Sequence, residues 1–136
     1  MSNPYQKYKQ TQVTSASREK LLLLMYEGAI KFTKKAITAA EEKNVAERCT
    51  NIGRAYDIVS ELNNTLDHKV GGPIAANLEQ LYMFITDQFT KANINGTVEP
   101  LQNALKILET LYEGWVQAVE QVKKQESAQA GTGAKG

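Results

Sequence analysis

The chain has 136 residues, 42% of them apolar, and its 16 Lys and Arg against 15 Asp and Glu leave a net charge of +1. A single cysteine and a single histidine exclude an internal disulfide framework, a Cys/His zinc site, and any Ser-His-Asp or Cys-His device not built on His68. Near-neutral charge removes a strong electrostatic case for nucleic acid.

Residues 1–16 are polar and carry no strong period. Asn3-Pro4 disfavours helix at Asn3, and Thr11, Thr14 and Ser15 favour local turns. No apolar h-region follows Met1, so a secretory signal is not expected, and with a free cysteine the reading is cytoplasmic. The longest apolar run, Leu21 to Tyr26, is far too short to cross a bilayer, so no direct membrane insertion is expected.

At Ser17 the character changes. Ser17 is a candidate N-cap for a helix running to about Glu42, with Leu22, Met25, Ala29, Phe32, Ala36 and Ala40 on its inward face. Lys43-Asn44 breaks it. Asn44 caps the second helix, with Glu47 in the capping-box position. Its stripe is Cys49, Ile52, Tyr56, Val59, Leu62, Asn63 and Leu66, ending near Asp67 or His68. Gly71-Gly72-Pro73 then punctuates the chain, and Pro73 suits the first turn of a third helix. Ile74, Leu78, Leu81, Tyr82, Ile85, Phe89 and Ala92 form its stripe, which Asn95-Gly96 closes. Thr97 caps the fourth helix, Pro100 falls in its tolerant first turn, and Leu101, Leu105, Leu108, Tyr112, Trp115, Val119 and Val122 face inward. Residues 126–136 read by composition as a disordered tail.

The predicted fold is all-α, a four-helix bundle. Short connections force antiparallel neighbours in up-down-up-down order. Residues 1–16 form an N-terminal arm with room for a small cap helix, 17–125 the bundle, and 126–136 the tail.

The apolar residues exceed one core. A second row on the first helix, Leu23, Tyr26, Ile30 and Ile37, lies roughly 100° round from the first. Helix four extends similarly through Ala104, Ile107, Leu111 and Ala118, while Ile58 and Met83 fall outside the arcs of their helices. Such width either serves two neighbouring helices and a covering arm, or faces a partner. Tyr5 and Tyr8, at i and i+3, share one side of a helical turn and offer large contact area with polar tips. The candidate partner-binding residues are therefore Tyr5, Tyr8, Leu23, Tyr26, Ile30, Ile58, Met83 and Ile107.

Reactive groups read differently. His68 is a dipole-favoured cation at a helix end or an exposed residue rather than a ligand, and Cys49 a small core hydrophobe. Asn63 needs hydrogen-bond partners if buried. Lys31, Lys34, Lys35 and Lys43 make a solvated face by default. A di-metal carboxylate bundle needs inward Glu-x-x-His pairs, and none is present. No cofactor, metal or enzymatic reaction is expected.

The order of motifs resembles the FliS family of flagellar export chaperones. Asn3-Pro4-Tyr5 with Tyr8 matches its N-terminal signature. Thr14-Ser15-Ala16-Ser17, Leu21 through Leu24, and Met25-Tyr26-Glu27-Gly28-Ala29-Ile30 with Phe32 match its first helix. Glu61-Leu62-Asn63-Asn64-Thr65-Leu66-Asp67, Gly71-Gly72, Ile74-Ala75 and Asn77-Leu78 match its second hairpin, followed by Leu81-Tyr82, Ala92-Asn93 and Trp115. Arg18 and Lys20 depart from it, occupying two of the places where the family often has a proline directly after the capping serine and acidic residues after that. The resemblance implies a chaperone that binds the disordered C-terminal segment of flagellin, helix in groove, and prevents premature polymerisation. It also implies docking on the cytoplasmic domain of the flagellar export gate, with Tyr5 and Tyr8 covering the empty groove or meeting the export machinery. No nucleic-acid partner is implied, and weak self-association stays open. A generic helical interaction or signalling module is the alternative.

Overall fold

The computed structural model describes the backbone of residues 15–134 and the side chains of residues 18–128. Four helices follow one another: α1 (Ser15–Glu41), α2 (Val45–Asn64), α3 (His68–Asn95) and α4 (Glu99–Ala134). Contacts run in opposite order along neighbouring helices. On α1 and α4, Tyr26 meets Trp115 and Lys34 meets Glu109. Gly28 approaches Ile58 and Phe32 approaches Arg54 across α1 and α2. The ring closes through α2 against α3 and α3 against α4.

The helix ends follow local chemistry. Asn44 caps α2, its side chain accepting from the Glu47 N–H at 3.2 Å. Before it, the Asn44 N–H reaches the Ala39 carbonyl at 2.8 Å, a Schellman closure that sets Lys43 at φ 57°. Asp67 accepts from the N–H groups of Lys69 and Val70. It thus opens α3, which corrects the expectation for His68: the imidazole stands at a helix start, not an end. One turn later Gly72, at φ 48° and ψ −124°, breaks the helix, and Pro73 restarts it. Only this kink lets His68 Nε2 come within 3.2 Å of Glu79 Oε2, eleven residues on. Gly96 ends α3 in the left-handed region, and Arg48 donates to the Asn93 carbonyl there. The α4 helix starts at Glu99, beyond Thr97, and continues to Ala134 past Gln125. Residues 123–130 contain strong helix formers and no breaker before Gly131, which outweighs their polar composition.

The core stripe is rotated from the predicted one on two helices. On α1 the buried residues are Met25, Tyr26, Ala29, Thr33, Ala36, Ala39 and Ala40. Phe32 is only half-buried. Thr33 is tolerated because its hydroxyl donates to the Ala29 carbonyl at 2.7 Å. On α2 the inward set is Asn51, Ile52, Ala55, Ile58, Val59 and Leu62. Cys49 is exposed, which corrects its reading as a core residue, and Tyr56 is 41% exposed. Ile58 joins the core because Gly28 leaves room: a Cβ on Gly28 would sit 3.2 Å from Ile58 Cδ1. Small residues along α1 allow this close approach. Ile74 is 68% exposed on the first full turn of α3 rather than inward.

One polar cluster lies inside. Tyr26 and Tyr82 share a hydroxyl–hydroxyl hydrogen bond of 2.5 Å, and Trp115 Nε1–H donates to the Tyr26 oxygen at 3.1 Å. Three helices, α1, α3 and α4, thus meet at one atom. Burial pushes both tyrosine hydroxyls above their usual value, and for Tyr82 the proximity of Tyr26 adds to the shift.

These ends and this cluster make three variants informative. Lys43→Gly removes the left-handed strain and should stabilise the fold by about 0.5–1 kcal/mol, read by denaturant titration. Because folding raises both tyrosine pKa values, their contribution is complete below the unfolded value near 10 and is lost as pH rises above it. Each tyrosine then steepens the decline by up to about 1.4 kcal/mol per pH unit. Tyr82→Phe should flatten that alkaline decline, measured as stability against pH from 9 to 11. Tyr26→Phe, by leaving the Trp115 N–H and the Tyr82 hydroxyl without partners, should cost about 1–3 kcal/mol at neutral pH.

Candidate functional site

The residues left over from the core lie on three seams between helices, not in one pocket. Between α1 and α4 runs a groove of about 640 Å³ with Ile30 and Tyr112 at its apolar centre. Lys31, Lys34 and Lys35 form the α1 wall, while Glu109 and Glu113 stand opposite. Lys34 Nζ and Glu109 Oε2 bridge it at 3.8 Å, an exposed pair worth little. The Tyr112 hydroxyl is held above its usual value, first by partial loss of water and then by the Glu27 carboxylate to which it donates. Leu23 lies two turns before Ile30 on the same side of α1 and is half-buried.

Between α2 and α3 a smaller cleft of about 200 Å³ is lined by Tyr56, Ser60, Asn63, Met83 and Thr86. Met83 is 59% exposed. Asn63 Oδ1 is shielded from solvent there and has no hydrogen-bond partner, a costly state that a donor entering the cleft would relieve. The third seam joins α3 and α4, where Asn103 Nδ2 donates to Gln88 Oε1 at 3.3 Å. One turn further along each antiparallel helix this register sets half-buried Ile107 level with Phe84.

The predicted site residues therefore separate. Leu23 and Ile30 share the α1/α4 side, Met83 lies in the α2/α3 cleft, and Ile107 on the α3/α4 seam. Tyr26, at 0% exposure, and Ile58, at 7%, are core residues that support these faces from beneath and present no surface. Tyr5 and Tyr8 lie outside the described residues. Sequence reasoning missed Tyr112, which reads as an ordinary member of the fourth stripe, and Phe84, which lies outside the third stripe and was given no role. Their signal was the neighbour: Tyr112 lies one residue from Leu111, which already marked the widened arc of α4.

Among the described residues no group of three or more His, Cys, Asp or Glu side chains could hold a metal ion. No described helix is long and apolar enough to cross a membrane. What the seams offer is apolar area bordered by charge.

The family model for the flagellar protein FliS matches residues 1–122. Similar proteins are the flagellar secretion chaperones FliS of Vibrio cholerae, 29% identical over 89% of each chain, and of Bacillus subtilis, 27% identical over 96% of this chain and 97% of the relative. The flagellar secretion chaperone FliS of Campylobacter jejuni is 30% identical over 82% of this chain and 87% of its own. A match to nearly the whole bundle, carried by relatives of equal length, establishes that the chain belongs to the FliS family, whose named members are flagellar secretion chaperones.

Proposed function

We propose that the protein is a cytoplasmic export chaperone for flagellin, holding the disordered C-terminal segment of its client as helices laid into the interhelical seams. The observation that carries this reading is the placement of half-buried apolar residues on separate sides of one small bundle. A rigid globular partner would meet one face. A long flexible segment can visit several, adding modest burial at Ile30 and Tyr112, at Met83, and at Ile107 and Phe84. Ordering such a segment costs free energy, so a large wrapped area is needed for useful affinity. The bundle works by binding alone: covering the client's amphipathic faces keeps them from assembling before export.

Delivery is the second half of the proposal. The bound pair would dock on the cytoplasmic domain of the flagellar export gate, with Tyr5 and Tyr8 contributing contact area on the chaperone side. Tyrosine suits that role because its ring is large, stiff and tipped with a hydroxyl.

Calorimetry and circular dichroism on a flagellin C-terminal peptide test the first step. One-to-one heat with a gain of helicity is expected; no heat and no added helix would sink the client assignment. Leu23→Asp with Ile30→Asp should leave far-ultraviolet dichroism intact and weaken the peptide by about tenfold or more, since burying one leucine-sized side chain is worth about 1.5–3 kcal/mol. Tyr5→Ala with Tyr8→Ala should keep peptide affinity but lose capture of the chaperone–client pair by the export gate's cytoplasmic domain in a pull-down.

A further inference from the structure

On the outer side of α1, facing α2, three cations crowd one aromatic ring. Arg54 Cζ lies 5.4 Å from the Phe32 ring centroid, Lys31 Nζ 5.7 Å and Lys35 Nζ 5.9 Å. All three basic residues are exposed and Phe32 is half-buried. Among the described residues the ion pairs engage Lys34, His68 and Lys91, and no carboxylate pairs with Lys31, Lys35 or Arg54. The ring's negative face offsets part of their mutual repulsion. An arriving anion would relieve the rest.

We propose that Lys31, Phe32, Lys35 and Arg54 form a docking surface for a short acidic segment of a partner protein, one that places carboxylates around an apolar residue seated on Phe32. Several features favour a short peptide over a nucleic acid. A single half-buried ring offers no run of platforms on which successive bases could stack. Glu109 and Glu113 border the cations on the α4 side, and Glu42 and Glu47 line the cleft of about 390 Å³ on the α2 side. These carboxylates confine the positive field to roughly one helical turn and repel a polyanion running past it. Two or three carboxylates fit within that frame, whereas a phosphate backbone overruns it. The surface lies apart from Met83 and Ile107, shares Lys31 and Lys35 with the wall of the α1/α4 groove, and is set off from that groove by Phe32 and Arg54.

The test uses the full chain and a short synthetic peptide with Asp and Glu around one leucine, beside its Asn/Gln counterpart. The acidic peptide should shift the amide resonances of Lys31, Phe32, Lys35 and Arg54, and its binding should fade with salt. Lys31→Glu with Arg54→Glu should weaken it by about tenfold or more. Lys31→Gln with Arg54→Gln gives a milder loss and serves should the reversal disturb folding. Phe32→Leu, which keeps all three charges, should also weaken it. Met83→Asp with Ile107→Asp, on the two seams that hold none of these cations, should leave it unchanged, which separates this surface from the flagellin reading. Equal binding of the Asn/Gln peptide, no shift at the four residues, or tighter binding of a single-stranded oligonucleotide would overturn the proposal.

Discussion

Tyr26 brings a hydroxyl to the place where α1, α3 and α4 converge, and that hydroxyl must be satisfied away from water. Trp115 supplies a donor from α4, and Tyr82 supplies the second partner from α3. A buried hydroxyl left unpaired costs far more than a made hydrogen bond returns. The three helices are therefore fixed in rotation and in height relative to one another, to a degree that greasy contact alone would not impose. The register of Gln88 with Asn103 follows the same order two turns away. With that register set, the residues of the α1/α4 and α3/α4 seams are held at fixed heights.

Fixing Tyr26 inward has a consequence for the rest of α1. A helix offers one arc to a core, and here the arc centres on Tyr26, Ala29, Thr33 and Ala36. Leu23 and Ile30 are pushed to the flank facing α4, and Phe32 to the flank facing α2. The surplus apolar surface is thus divided between two sides of the same helix. One side becomes the groove with Tyr112, and the other becomes the ring beneath the basic collar. The alanines matter here too. By letting α1 and α2 approach closely around Gly28 and Ile58, they leave the larger side chains at the edges, where they remain half accessible.

Much of this arrangement was legible in the residues. Four helices, the cap at Asn44, the restart at Pro73 and the stop at Gly96 each rest on local chemistry that one segment contains. The rotation of α2 was not legible, because Cys49 and Tyr56 share the spacing of a core stripe as well as Asn51 and Ala55 do. Only the facing surface of α1, small at Gly28 and Ala29, decides between them. Thr33 fails the same way: its polarity argues for solvent until the Ala29 carbonyl accepts its hydrogen bond. His68 was misplaced because Asp67 can end one helix or open the next, and the backbone N–H groups of Lys69 and Val70 choose the second. Tyr26 was placed on the outer row and named for partner binding, because pattern alone could not say that its hydroxyl had partners waiting inside.

Net charge conceals the remaining organisation. A sum of +1 describes a chain without a preferred partner, yet the lysines of α1 and the glutamates of α4 face one another across a groove. An amphipathic helix entering that groove meets ammonium on one flank and carboxylate on the other, so its own flanking charges would bias the direction in which it lies. The exposed Lys34–Glu109 pair is weak enough to yield to such a client. Apolar area then supplies most of the affinity, and the charged walls supply the orientation. For the proposed client segment, wrapped over several seams, orientation in the first seam would dictate which seam the chain can reach next.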